Sequence, residues 1–180
     1  TTDNYEKRTI AFIAAKKGHV DMLKYLVEGD PSVLKKMDDD KVTVLELVIE
    51  NGDGIEVVKY LVEKYKTHLL KDDKINHAIT SRAIHLAIRY GHLDILKYFI
   101  EEKRFNLNEP VEDYSHWPPS DPPLFVAVQH QRQSIIEYLV EEKKVDPTTL
   151  NSSGENVLFV AARRGNLNLL KYLFNQKVKF

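Results

Sequence analysis

At 180 residues the chain suits one domain or a short array of repeats, and its 43% apolar and 29% charged residues are those of a folded protein. A formal net charge of −1 gives no global pull toward nucleic acid or an anionic membrane. Cysteine is absent, which excludes disulfides, thiolate metal sites and a cysteine nucleophile, and fits an intracellular protein.

Taken in chain order, the first predicted element is a helix over "AFIAAKKG", ending at Gly18. A second helix follows over "LKYLVE", Leu23–Glu28. In it Asp21, Lys24 and Glu28 fall three and four apart as one polar stripe, while Met22, Leu23, Leu26 and Val27 fill the remainder. The same pair returns as "LELVIENG" to Gly52 with "VKYLVE" at Val58–Glu63, and as "IHLAIRYG" to Gly91 with "LKYFIE" at Leu96–Glu101. Between Phe105 and Pro123 five prolines exclude a helix and predict an irregular loop. Two more pairs follow: "LFVAVQHQ" to Gln131 with "IEYLVE" at Ile136–Glu141, and "LFVAARRG" to Gly165 with "LKYLFN" at Leu170–Asn175. No apolar run is long enough to span a bilayer, and no signal-peptide pattern opens the chain. It starts at Thr1, and its last residues run on from a helix, as expected of a piece of a longer protein.

The anchors Gly18, Gly52, Gly91, Gln131 and Gly165 fall 34, 39, 40 and 34 residues apart, and a tyrosine recurs at Tyr25, Tyr60, Tyr98, Tyr138 and Tyr172. The wide apolar face of each helix pair needs neighbouring units to cover it, which is the logic of a solenoid. This pattern resembles the ankyrin repeat, with its period of about 33 and its T-P-L-H-x-A signature. "RAIHLA" at Arg82–Ala87 keeps the histidine and alanine, "PPLFVA" at Pro122–Ala127 keeps proline, leucine and alanine, and Thr9 and Thr43 keep the threonine. The resemblance implies an all-α ankyrin solenoid of stacked antiparallel helix pairs with hairpin-like loops, in repeats over 4–37, 38–76, 77–116, 117–150 and 151–180. Gln131 departs from the family by replacing the turn glycine, which implies a different or strained turn. Lys41 stands where the hairpin glycine is usual, whereas Gly154 keeps it.

The family binds protein partners through hairpin tips and the exposed side of the first helix, on the concave face. Carried over, this points to Lys16 and Lys17, Glu50 and Asn51, Ile79 with Arg89 and Tyr90, Gln129 and His130, and Arg163 and Arg164. Ala78 and Ser81 fall on the predicted tip of the third unit. Binding hot spots favour Trp, Tyr and Arg, which singles out Arg89, Tyr90 and the loop residues Tyr114 and Trp117. Trp117 has a second reading, as a prop folded under the loop.

His85 is expected to hydrogen-bond backbone, as the signature histidine does, and His19 and His92 to sit in inter-helix turns. No HExxH or phosphate-binding glycine loop is present, and Asp38-Asp39-Asp40 reads as a solvated turn. The five tyrosines are expected to be mostly buried, with hydroxyls at the rim. The expected function is a protein-interaction module, monomeric, with no cofactor, no metal, no catalysis, no nucleic-acid partner and no membrane insertion. A spacer or oligomerising segment and an enzyme with an unrecognised site stand as alternatives. The Lys-, Asn- and Ile-rich style resembles ankyrin effectors delivered into a host cytoplasm.

Overall fold

A computed structural model describes residues 10–35, 42–52, 54–69, 73–102, 107, 121–151 and 153–177. Among these the chain forms ten α-helices and no strand. Its contacts gather into two compact units, residues 1–98 and 99–180.

The first unit holds three helix pairs. Helix α1 covers 10–16, and α2 is Val20–Gly29. A 3₁₀ turn, Pro31–Lys35, follows α2, because Gly29, Asp30 and Pro31 stop it. Helices α3 (Val44–Asn51) and α4 (Ile55–Leu69) form the second pair. The third begins with α5, Asp73–Tyr90, and continues with α6, Leu93–Lys97.

Helix α5 runs straight through 76–77, where the sequence suggests a repeat boundary, and through the predicted hairpin tip at Ala78–Ser81. The physical reason lies in residues 73–81, which contain neither glycine nor proline to end a helix extended backwards from "RAIHLA". Ser81, expected at an exposed tip, is fully buried.

Helix α3 opens on a capping box. Thr43 Oγ1 accepts from the Glu46 backbone N–H at 3.3 Å, and the Thr43 N–H donates to Glu46 Oε2 at 2.6 Å. Glu46 Oε1 also pairs with Arg82 Nε of α5 at 2.6 Å. One nearly buried carboxylate therefore caps its own helix and ties it to the first helix of the next pair.

In the second unit, α7 (Pro123–Gln129) packs beside α9 (Val157–Arg163). Helix α8 (Gln133–Glu137) leads into a π turn at Tyr138–Glu142, and α10 is Leu167–Lys177. Proline at the first turn of α7 has no N–H to leave unbonded, so it starts that helix without penalty. Asn156 caps α9 by accepting from Leu158 N–H at 3.1 Å.

In every first helix the residue at one shared repeat position is fully buried and small: Ala14, Val48 and Ala87 in the first unit, Ala127 and Ala161 in the second. Side chains this small let neighbouring first helices approach closely. The second helices supply the larger apolar bodies, among them Leu23, Leu61, Leu96, Phe99 and Leu139.

The turn at Gln131 keeps the geometry of its glycine counterparts. Its φ is +55°, against +71° at Gly52 and +67° at Gly165. A side chain is strained in this left-handed conformation. Gln131→Gly should therefore raise stability by about 1 kcal/mol, offset in part by the freer unfolded chain. The gain will read as a higher urea midpoint. An unchanged midpoint would show that the 3.2 Å bond from Asn166 Nδ2 to Gln131 Oε1 outweighs the strain.

Candidate functional site: the first-helix ends

In the first unit, the ends of the first helices are joined from repeat to repeat. Asn51 Nδ2 donates to the Ala15 carbonyl at 2.6 Å, so the end of α3 grips the end of α1. The Tyr90 hydroxyl donates to Glu50 Oε1 at 2.5 Å, linking α5 to α3. That bond to a carboxylate, with partial desolvation, raises the Tyr90 pKa and keeps its phenol neutral. The Arg89 guanidinium lies 5.8 Å from the centre of the Tyr90 ring. His92 stacks with the Tyr90 ring, with ring centres 6.5 Å apart. Its ring also covers Gly52, where a Cβ would collide with it. Gly52 is thus required twice, for a φ of +71° and for the space that His92 fills.

The sequence-predicted contact residues fall into distinct groups. Lys16 and Lys17 are exposed at the end of α1. Glu50, Arg89 and Tyr90 converge as described. Asn51 shares their register, but its amide is committed to the Ala15 carbonyl. Ile79 lies within α5, and its side chain is outside the described set, as are Tyr114 and Trp117 altogether.

In the second unit Gln129 is exposed and His130 half-buried at the end of α7. At the end of α9, Arg163 pairs with Glu155 of the preceding turn, and Arg164 is exposed. The Asp38–Asp40 run and Lys41 lie outside the described residues. Gly154 adopts φ +73°. His85 Nδ1 meets the Ser81 carbonyl at 2.9 Å, a backbone contact made within a helix rather than at a turn.

The second helices carry a ladder that the sequence analysis missed. The Tyr60 hydroxyl donates to Glu28 at 3.3 Å, Tyr138 to Glu101 at 3.0 Å and Tyr172 to Glu141 at 2.8 Å. Each of these three tyrosines therefore meets the glutamate that closes "LVE" or "FIE" in the repeat before. Lysines lie over the rings: Lys24 is 5.8 Å from the centre of Tyr60, and Lys59 is 5.7 Å from that of Tyr98. Burial pushes the Tyr138 hydroxyl up to about 12, with Lys143 pulling down and Glu101 pushing up.

Burial varies along this series. Tyr98 and Tyr138 are buried and Tyr60 and Tyr172 half-buried, but the Tyr98 hydroxyl is buried rather than at the rim, and Tyr25 is exposed. The signal was present in the sequence: tyrosine recurs at a fixed register in all five units, and glutamate three residues after it in the first four.

Among the described residues, no group of three or more His, Asp or Glu gathers to hold a metal ion, and no helix is long and apolar enough to cross a membrane. A family model of three ankyrin repeats matches residues 1–73 and again 67–151. The chain belongs to the ankyrin-repeat family, whose repeats are generally protein–protein interaction modules and typically non-enzymatic.

Its similarity to individual proteins is lower. It is 28% identical to alpha-latrocrustotoxin-Lt1a of Latrodectus tredecimguttatus over 178 residues, which is 91% of this chain and 12% of that protein. It is 32% identical to alpha-latroinsectotoxin-Lt1a of the same organism over 128 residues, 71% of this chain and 8% of the relative. An ankyrin repeat protein of Rickettsia bellii is 26% identical over 146 residues, 77% of this chain and 36% of the relative. The chain thus spans a small part of each of these relatives.

Proposed function

We propose that the chain binds another protein and that its first unit presents the recognition surface at the first-helix ends, through Lys16, Lys17, Glu50, Arg89 and Tyr90. The supporting observation is the Tyr90–Glu50 bond with Arg89 against the same ring. A tyrosine tethered at its hydroxyl, with a guanidinium along its face, is an aromatic–cation pair ordered before a partner arrives. Pre-ordering lowers the entropy cost of docking, and tyrosine and arginine are the residue types that anchor interfaces. Asn51 is left out because its amide is already used. On the second unit, Gln129 and Arg164 are exposed.

Lys16 and Lys17 add exposed positive charge to this surface and fit an acidic partner, whose approach they would steer in a salt-dependent way. An intracellular setting suits a chain without cysteine, which needs no oxidising compartment.

With the partner recovered from cell lysate on the parent chain, Arg89→Ala combined with Tyr90→Ala should weaken binding at least about tenfold, or roughly 1.4 kcal/mol. Helix content should not change, and the melting temperature should change little. Equal binding by the double variant, together with loss of binding on Trp117→Ala, would place recognition on the 105–123 loop instead.

A further inference from the structure

Asn51–Gly52 is the one place in the chain where an asparagine is followed by glycine. Glycine has no side chain to screen its backbone nitrogen, and that nitrogen is the nucleophile in asparagine deamidation. Gly52 N attacks Asn51 Cγ, and the new N–Cγ bond closes a succinimide ring. The Cγ–Nδ2 bond breaks, and Nδ2 leaves as ammonia with the proton lost from the backbone nitrogen. Water then adds at either ring carbonyl and reopens the ring, leaving aspartate or an isoaspartyl linkage.

In the folded chain both reacting groups are engaged. The Gly52 N–H donates to the Val48 and Ile49 carbonyls at 3.2 and 3.3 Å, at the end of α3. The His92 ring lies against Gly52 on the side where a Cβ would stand. Asn51 Nδ2, the leaving group, donates to the Ala15 carbonyl of α1 at 2.6 Å. The residue is otherwise exposed, so the water needed for the second step is at hand. Ring closure therefore waits on a local opening that frees Gly52 N and lets the Asn51 amide leave Ala15.

The product does not fit the same place. A carboxylate has no hydrogen to donate, so aspartate sets an oxygen against the Ala15 carbonyl oxygen. It also puts a negative charge beside Glu50 on the last residue of α3, where the helix dipole opposes it. An isoaspartyl linkage adds a methylene to the main chain just before the Gly52 turn.

We infer that Asn51 is a deamidation site gated by the contact between α1 and α3. Conversion is held off while the Asn51 amide and the Gly52 N–H keep their bonds, and once made it breaks the bond that joins the two helices.

Peptide mapping by mass spectrometry of the full chain, aged at mildly alkaline pH, tests this. Conversion at Asn51 should run at least about tenfold faster in guanidinium chloride than in the folded chain, because unfolding removes both bonds. Asn156, followed by valine, is the internal control and should stay unconverted in both. Urea unfolding of two variants tests the consequence. Asn51→Ala only removes the bond to Ala15, whereas Asn51→Asp also adds the repulsion, so the aspartate variant should have the lower midpoint. Equal rates of conversion folded and unfolded would overturn the gate. No conversion at Asn51 in guanidinium chloride would overturn the site itself. An Asn51→Asp midpoint equal to that of the parent would show that conversion leaves the helix contact intact, against the proposal.

Discussion

Truncating Leu96 to alanine should cost about 3 kcal/mol, within the usual 2–5 kcal/mol for a buried leucine. Leu96 is fully buried on α6, which packs against α4 and α5 within the first unit. Removing its isobutyl group loses the transfer energy of the buried carbons and leaves a cavity that rigid neighbours close only in part. With a urea slope of about 1–3 kcal/mol per molar, the midpoint should fall by roughly 1–3 M. Leu150→Ala is the internal control: Leu150 is exposed, so the midpoint should barely move. Because each repeat is held mainly by its neighbours, hydrogen exchange should quicken first in α4, α5 and α6. A Leu96→Ala midpoint equal to that of the parent would refute the packing assigned to the third pair.

The second large effect is expected at Glu46. Its carboxylate accepts the Thr43 N–H at 2.6 Å and pairs with Arg82 at 2.6 Å from a nearly buried position. Breaking a buried ion pair by deleting one partner costs about 3–5 kcal/mol. Arg82 remains partly exposed and can regain water, so Glu46→Ala should cost about 3 kcal/mol, including about 1 kcal/mol for the lost cap. Glu46→Gln keeps an oxygen for the Thr43 N–H and should recover about 1 kcal/mol of the loss. Equal losses for alanine and glutamine in urea unfolding would show that the cap contributes nothing. No loss in either would show that the pair is dispensable.

The helix pairs and their register were legible because the tyrosines and the glycine anchors are local signals, each visible within about ten residues, that recur along the chain. The strain at Gln131 was legible for the same reason. What escaped is the set of bonds between repeats. Tyr60–Glu28, Tyr138–Glu101 and Tyr172–Glu141 join residues 32, 37 and 31 positions apart. On a single helix those glutamates look like members of a solvated stripe. The bond of Asn51 escaped likewise: its side chain shares the register of a contact residue, and the partner of its amide, the Ala15 carbonyl, is 36 residues away. The backward extension of α5 was missed because the family's hairpin was assumed at 78–81, although "INHAITSRA" contains no residue that would stop a helix. Glu46 and Arg82 occupy signature positions of successive repeats and replace its uncharged residues with an ion pair, which composition alone does not show.

In the proposed function, a protein partner docks on the first-helix ends around Arg89 and Tyr90. Photo-cross-linking from single sites tests it most directly. A photoreactive residue is placed in turn at Lys17, at Arg89 and, as a control on the second-helix surface, at Glu56, which is exposed. Adducts with the partner from positions 17 and 89, and none from 56, are the predicted result. Adducts from position 56 with none from 17 or 89 would contradict it and move recognition to the second helices.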